Sequence, residues 1–412
     1  MRLVTYLAWR NLWRHKRRSF ITAGAVATVT FMSIAYFGMG GAAENGLYQT
    51  LTETSGHVQV LAPGWDQALR LEDALIDDAA GVRSSIEPVA ARLLEAPLII
   101  GVLEVPALLS GEDRSRGVAL HGQDWSDTAG ERRLGGGQLD GRLPSANDEI
   151  VLGASLARAL DVGTGDEVYA YAPGGQGLGA AAFRVVGIAD LADPNAEIVA
   201  AWTTLEAMQM LAAPGAVQRF EIHGTRLFHI SDDTVAADLA TELDAALPGL
   251  LALSWLEVSP STARMLRTLE PMMYAVSVMF FVLAGLLVLN TVYLSVMERI
   301  REFGVIHALG AGDRRVLAMI ATESVLMCLL GAVVGGAGGS VFVAAYSGGL
   351  VIEPLIEYYA SFGMKPIFYL SVSPGQVGFA LVFAFVTALA AALWPAWIAS
   401  RLEPVEAMRF QV

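Results

Sequence analysis

Lysine and cysteine are nearly absent from this sequence, and each absence excludes a property. The lysines are Lys16 and Lys365, and neither lies in GxxxxGK followed by Ser or Thr, the pattern whose lysine holds nucleotide phosphates. The sequence therefore carries no Walker A site. The single cysteine, Cys328, permits no disulfide within the chain, so the folded parts must rest on ordinary hydrophobic cores.

Recognised catalytic patterns are lacking as well. None of the six histidines belongs to an HExxH motif or to a close pair at helical spacing. The segment 153–155 is not a GxSxG nucleophile elbow. His223 and His229 could share a metal with the acidic pair at 232–233, but core or surface roles are the favoured interpretation. We therefore predict that this chain is not an enzyme and binds no metal or cofactor itself.

Charged residues are sparse, and long apolar runs take their place. They make up 17% of the chain, against about 25% in ordinary soluble proteins. A helix needs about 20 apolar residues to cross a membrane, and four runs suffice, at 19–40, 272–297, 316–346 and 374–400. We predict four transmembrane helices. A cleaved signal peptide is the alternative for the first, but its run exceeds the about 7–15 residues usual there.

Positive charge precedes the first run, at Arg2, Arg10, Arg14, Lys16, Arg17 and Arg18. Lys and Arg near span ends remain cytoplasmic, which predicts cytoplasmic N- and C-termini in a multi-pass protein of the inner (cytoplasmic) membrane. The remaining segments are a basic interfacial helix at 1–18, an extracytoplasmic domain with stalk at 41–271, a cytoplasmic loop at 298–315, an extracytoplasmic loop at 347–373 and a cytoplasmic tail at 401–412.

Residues 41–271 are strongly acidic, with 14 Lys and Arg against 33 Asp and Glu, a net charge of −19. This balance excludes nucleic-acid binding through phosphate contacts. It could attract cationic substrates, although solvation of an exported surface is the simpler interpretation. Strand-like and helix-like segments both occur. The predicted fold class is therefore an α+β membrane protein, with four transmembrane helices and a large mixed α/β extracytoplasmic domain between the first and second.

Local patterns predict individual elements in this domain. The first helix should continue as a stalk to Gly56, and a strand should follow at 57–60. Segment 84–97 is typical of a helix, with Ser84 and Ser85 as cap candidates. Strands are also predicted at 98–110, 115–124 and 183–190. Further predictions are a strand–helix–strand unit at 148–173, a Gly-rich hairpin tip at 171–180, a helix with a threonine cap at 201–211 and a helix at 236–247.

Between the second and third runs lies MERIREFGVIHALGAGDRRV, residues 297–316. Its first half has a helical pattern, because Glu298 and Arg301 are spaced to pair and apolar residues recur at every third position. Gly310 and Gly312 should end this helix, and Asp313 is placed to cap the third span. The segment is either a short helix for protein docking or a turn held at lipid headgroups.

This segment resembles the matching region of ABC transporter permeases of the FtsX/MacB type, a family that includes LolC and LolE. The shared pattern is ERxREFG, then ALGAG, an in-span glutamate at Glu323 and glycines. YLAWRNLWRHKRRSF, DEIVLGASLARALDVGTGDEVYAY and PAWIASRLEPVEAMRF resemble the family's N-terminal, outer-domain and C-terminal motifs. One outer domain with one span before it and three after it is also the family's layout.

The resemblance implies a partner ATPase. In the family the short helix docks on a separate ABC ATPase dimer, which would hold ATP and Mg. Carried onto this chain, the ATPase-coupling residues are Glu298, Arg299, Arg301, Glu302, Phe303, Gly304, Gly310 and Ala311. Further implied partners are a second permease chain, identical or paralogous, membrane lipid, and a periplasmic adaptor or lipoprotein chaperone.

The implied function is a permease subunit. It would couple ATP hydrolysis on the partner to movement of the extracytoplasmic domain, extracting or exporting lipoproteins, lipids or other amphiphiles from the membrane or periplasm. The alternative is a non-transporting mechanotransmission protein that switches an outside partner such as a cell-wall hydrolase. The size of the outer domain favours transport.

Residues within and before the spans add three predictions. A carboxylate in a span is a functional hypothesis by default, and for Glu323 transmission or pairing with a nearby arginine is favoured over substrate contact. Gly331, Gly335 and Gly339 form overlapping GxxxG steps, which predict close helix packing, with a dimer interface as one candidate. An interfacial anchor is predicted from Tyr6, Trp9, Arg10, Trp13 and Arg14.

Overall fold

The computed structural model describes residues 16–67, 71–125, 134, 138–174, 177–191, 197–224, 233–300, 305, 312–355 and 367–400. Its helices are α1 (Lys16–Ser55), α2 (Ala79–Leu93), α3 (Ala154–Leu160), α4 (Leu205–Leu211), α5 (Asp233–Ala246), α6 (Trp255–Val258), α7 (Pro260–Glu298), α8 (Asp313–Ala345) and α9 (Pro374–Ser400). Short 3-10 turns lie at Leu71–Ala74 and Glu353–Leu355.

The strands are β1 (Val58–Leu61), β2 (Leu98–Ser110), β3 (Ser115–Gln123), β4 (Gln138–Gly141), β5 (Glu149–Gly153), β6 (Glu167–Gly174), β7 (Gly177–Asp190), β8 (Ala200–Thr204), β9 (Arg219–His223), β10 (Leu251–Ser254), β11 (Leu350–Val351) and β12 (Ile367–Phe368). The chain divides into two compact units. The helical unit comprises Met1–Ala43, Leu266–Leu350 and Phe368–Val412, and the α/β domain comprises Glu44–Met265 and Val351–Ile367.

Four of the described helices, α1, α7, α8 and α9, are long and apolar enough to cross a membrane. One precedes the α/β domain and three follow it, which confirms the predicted fold class. α1 and α7 have 40 and 39 residues, about 60 Å each, twice the hydrocarbon thickness of about 30 Å. α1 ends at Ser55, as the predicted stalk requires. α7 begins at Pro260 and runs through Pro271, so the predicted boundary at 271 falls inside a helix.

The glycine stripe of α8 packs against α1 of the same chain. A Cβ atom on Gly331 would overlap the carbonyl oxygen of Ala23, and one on Gly335 would overlap that of Ala27. A Cβ on Gly339 would lie 2.9 Å from the Cβ of Ile34. Small residues let helix backbones approach closely in membranes, where dispersion contacts replace the hydrophobic effect. The predicted close packing of the stripe is therefore present within the chain, against α1.

Side-chain contacts also join α1 to α7 and α9. The hydroxyls of Ser33 and Ser277 hydrogen-bond at 2.5 Å, which satisfies two buried polar groups. The fully buried ring of Phe37 lies 5.1 Å from the ring centroid of Tyr274 and 6.0 Å from that of Phe379. α1 thus contacts all three of the other long helices.

The α/β domain is built on a ten-stranded sheet. The strand order is β10–β1–β9–β2–β3–β8–β5–β7–β4, and β6 pairs with both β2 and β7. The β3–β8 and β5–β7 pairs are parallel, whereas the pairs made by β1, β2, β4 and β6 are antiparallel. β1 lies between β9 and β10, which come more than 150 residues later in the chain. This part of the sheet can therefore form only when distant segments of the domain come together.

Helices cover the sheet and create its hydrophobic cores. α2 and α5 pack on β1 and β9 through Ile86, Val89, Leu239, Leu243, Val60 and Ile222. α3 and α4 pack on the central strands through Leu156, Leu160, Met208, Leu103, Leu120 and Ile150. Each side chain that leaves water here contributes about 1.5–3 kcal/mol, so the domain needs no disulfide.

Many local predictions for this domain are confirmed. The strand at 57–60 is β1, the strand–helix–strand unit is β5–α3–β6, and the helix at 236–247 is α5. Thr204 caps α4 by accepting a hydrogen bond from the backbone N–H of Ala207. The hairpin pairs β6 with β7 up to Gly174 and Gly177, and its tip at 175–176 lies outside the described residues.

Two cap predictions are wrong. α2 starts before Ser84, because Asp78 accepts a hydrogen bond from the N–H of Gly81 at 2.9 Å and the alanines after it favour helix. Ser84 and Ser85 lie within α2 and donate to the carbonyl of Gly81. In α8 the cap position is Gly312, and Asp313 is the first helical residue. Strands β4, β8, β9, β10, β11 and β12 are missing from the prediction.

The glycine stripe gives the first testable prediction. Gly335→Ala should destabilise the helical unit by about 1–3 kcal/mol, because the new methyl group meets the Ala27 backbone, which cannot yield without moving α1. Gly338→Ala is the matched control, since its Cβ would lie 3.5 Å from the Phe31 ring, an ordinary contact. Thermal unfolding of the full-length protein in detergent measures both. Equal melting temperatures for the two variants would contradict close packing at Gly335.

Candidate functional site

A buried ion pair lies at the end of the helical unit where α7 finishes. The Nη1 atom of Arg299, directly after α7, is 3.0 Å from Oε2 and 3.4 Å from Oε1 of Glu323 in α8. The two residues are 9% and 7% exposed. The pair therefore ties the start of the segment after α7 to the third span.

Polar side chains from three helices surround this pair. Ser19 and Thr22 come from α1, Thr291 and Ser295 from α7, and Ser324 from α8. Together they line a cavity of about 20 Å³ beside Arg299 and Glu323, enough for about one water molecule. A shift of the segment after α7 that moves Arg299 must therefore disturb its contact with α8.

Among the predicted coupling residues, Glu298 and Arg299 are described. Glu298 is exposed at the end of α7, whereas Arg299 is buried against Glu323 and does not face outward. Among the roles considered for Glu323, pairing with a nearby arginine is the arrangement in the structure. The other predicted coupling and anchoring residues lie outside the described residues: Arg301, Glu302, Phe303, Gly304, Gly310, Ala311, Tyr6, Trp9, Arg10, Trp13 and Arg14.

Glu323→Ala should destabilise the helical unit by about 3–5 kcal/mol, because it leaves the Arg299 guanidinium buried without its carboxylate. The double variant Arg299→Leu, Glu323→Leu should recover much of that loss, since it removes both buried charges. Thr322→Ala, one residue away and half-buried, is the control, since it removes no charge. The measurement is thermal unfolding in detergent. A double variant less stable than Glu323→Ala would contradict this account.

The α/β domain contains a charge network that sequence patterns did not indicate. Arg219 on β9 places its Nε 2.8 Å from Oε1 of Glu221, and its Nη1 3.3 Å from Oε2 of Glu104 on β2. The Glu221 side chain is 1% exposed and that of Glu104 36% exposed. The only sequence signal is the alternation of Arg219, Glu221 and His223, which puts three titratable residues on one face of a strand.

Electrostatics favour the charged forms of Arg219 and Glu221. Burial raises the pKa of Glu221, but the charge and hydrogen bond of Arg219 and the nearby His223 side chain together outweigh it, so the pKa is lowered. Burial would lower the pKa of Arg219, but Glu221 and Glu104 reverse this and the pKa is raised. For His121, whose Nδ1 is 3.5 Å from Glu104, burial prevails and the pKa is lowered. Two carboxylates and one guanidinium therefore leave one excess negative charge.

Aromatic contacts lie beside this network. Tyr48, fully buried in the last part of α1, lies 5.7 Å from the ring centroid of His57 and 5.2 Å from that of Trp255. The indole N–H of Trp255 donates to Asp233 at 2.6 Å. Asp233 is one of the candidate ligands of the metal site considered with His223 and His229, and here its carboxylate accepts this hydrogen bond. His229 and Asp232 lie outside the described residues.

The architecture defines a class: a multi-pass membrane protein with a large α/β domain inserted after its first span. Comparison with protein families identifies the family within this class. The MacB-like periplasmic core domain matches residues 19–246, more than half of the chain, and the FtsX-like permease C-terminal domain matches residues 274–404. The chain therefore belongs to the FtsX/MacB family of ABC transporter permeases, proteins of the inner membrane.

The curated relatives of this chain support the family assignment. An uncharacterized ABC transporter permease of Mycobacterium bovis is 30% identical over 48% of this chain and 49% of the relative. The macrolide export ATP-binding/permease protein MacB 1/2 of Paracoccus denitrificans is 24% identical over 98% of this chain and 58% of its own length. The pyoverdine export ATP-binding/permease protein PvdT of Pseudomonas entomophila is 31% identical over 35% of this chain and 20% of the relative.

The chain thus spans about half the length of the curated relatives it matches over the longest stretches. Among solved structures, the extracellular domain of the transporter YknZ from Gram-positive bacteria covers 42% of this chain and 88% of its own, with 11% identity and a TM-score of 0.30.

Proposed function

We propose that this chain is the permease subunit of an ABC exporter whose ATP is hydrolysed by a separate ATPase subunit, and that it works as a dimer of permease chains. The buried Arg299–Glu323 pair carries the proposal. It connects the start of segment 298–315 to α8, whose glycine stripe holds α1 in turn. A displacement of that segment would be transmitted to two spans, because packed helices shift as rigid bodies rather than bending continuously.

Two further observations support this proposal. The 412 residues contain no Walker A lysine, so the hydrolysed nucleotide must be held by another polypeptide or segment. Relatives whose names include export are named as ATP-binding/permease proteins, which places both activities in one assembly for those proteins. Lipoproteins, lipids and other amphiphiles are the substrate classes we propose for this chain.

Capture of the ATPase tests the proposal. The full chain is co-expressed with an ABC ATPase encoded beside it and purified by a tag on the permease. Glu302→Lys with Gly304→Trp should abolish capture, because both changes fall in the segment proposed to dock. The control, Glu112→Lys with Gly117→Trp, makes the same substitutions at exposed positions of the α/β domain and should retain capture. A wild-type chain that captures no ATPase would refute the proposal.

Orientation is tested with introduced cysteines in a Cys328→Ser background. We propose that the α/β domain is extracytoplasmic and that both termini are cytoplasmic. Glu112→Cys should then react with a membrane-impermeant maleimide in spheroplasts, whereas Glu298→Cys should react only after the membrane is permeabilised. Both residues are exposed in the structure. The opposite labelling pattern would invert the topology and place the proposed docking segment on the wrong side.

A further inference from the structure

A cavity of about 490 Å³ opens on the face of the sheet that carries the Arg219 network. Glu104 and Arg219 are the titratable residues in its lining, and Trp65, Pro106 and Ala119 supply apolar surface. Small-molecule sites typically measure about 300–1,000 Å³ and combine apolar walls with a few polar groups. The cavity matches that description in size and in the nature of its lining.

An apolar strip continues from this cavity along the same face. Side chains alternate along a strand, so Glu104, Pro106 and Leu108 of β2 project to one side. Leu108 pairs with Tyr171, two residues from Tyr169 on the neighbouring strand β6. Their exposed fractions are 46%, 37% and 45%. From Glu104 to Leu108 is about 13 Å of strand, at about 3.3 Å per residue.

The charge at one end of this groove is negative. Arg219 makes its shortest contact, 2.8 Å, with the buried Glu221, and its contact with Glu104 is longer, at 3.3 Å. One guanidinium cannot neutralise both carboxylates. The excess charge therefore lies at Glu104, the more exposed of the two and the one that lines the cavity.

We propose that this groove binds a cationic amphiphile, with its positive group at Glu104 and its apolar part along Pro106, Leu108 and the two tyrosines. Trp65 adds an aromatic face, which attracts cations. An anionic amphiphile would be repelled by Glu104, and an uncharged one would gain nothing from it. As a site of substrate capture the groove rests on the export function proposed above, whereas binding itself does not.

Calorimetry on the full-length protein in nanodiscs tests the site, with empty nanodiscs as the baseline. The probes are octyltrimethylammonium, octyl sulfate and octyl glucoside, which share one tail and differ in charge. The cation should bind, and the other two should bind at least about tenfold more weakly. Glu104→Gln should weaken cation binding about tenfold, which corresponds to about 1.4 kcal/mol. Ala119→Phe should block the cavity and abolish binding of the cation.

Glu112→Gln is the matched control, because it removes one carboxylate at an exposed turn between β2 and β3 and should leave the affinity unchanged. Equal affinities for all three probes, or a cation affinity unaltered by both Glu104→Gln and Ala119→Phe, would overturn the site. ATPase capture is scored on the same preparations. Capture without cation binding rejects the groove alone, and cation binding without capture rejects the export function alone.

Discussion

The close contact between α8 and α1 is the constraint on which the helical unit depends. Gly331, Gly335 and Gly339 bring the two backbones together along two turns of helix, at a distance that a methyl group would prevent. Because Glu323 lies eight residues before Gly331 on the same helix, this contact also brings it beside the polar end of α1. The buried ion pair with Arg299 then has hydroxyl neighbours from three helices in a region that is otherwise apolar.

An ion pair in such surroundings is a mechanical element as much as a stabilising one. Buried pairs contribute little net stability compared with apolar packing, yet breaking one is costly because a lone charge remains. A contact with this property holds two helices in one relative arrangement and resists intermediate ones. The pairing with Glu323 explains why Arg299 is buried although its neighbour Glu298 is exposed.

The α/β domain also contains a buried ion pair, formed here between side chains of a β-sheet. β9 brings Arg219 and Glu221 into the middle of the sheet, where Glu221 is tolerated only because Arg219 lies 2.8 Å away. Prediction missed β9 because its alternation is of charged residues, whereas strand signals rest on alternating apolar ones. It found β1, β5 and β6, whose buried positions are apolar. The cap of α2 was misplaced because both serines and an aspartate satisfy the local pattern, whereas the helix starts where Asp78 accepts a hydrogen bond from Gly81.

By itself the sequence determined the number of spans, the single large insertion after the first and the helical stalk, because long apolar runs and charge asymmetry act through local composition. It also showed that neither lysine of these residues lies in a Walker A pattern. Only the tertiary structure decided which helix receives the glycine stripe, which arginine pairs with Glu323, and where Glu104 meets Arg219, 115 residues later. Those choices depend on contacts between distant segments, and no local pattern encodes the partner.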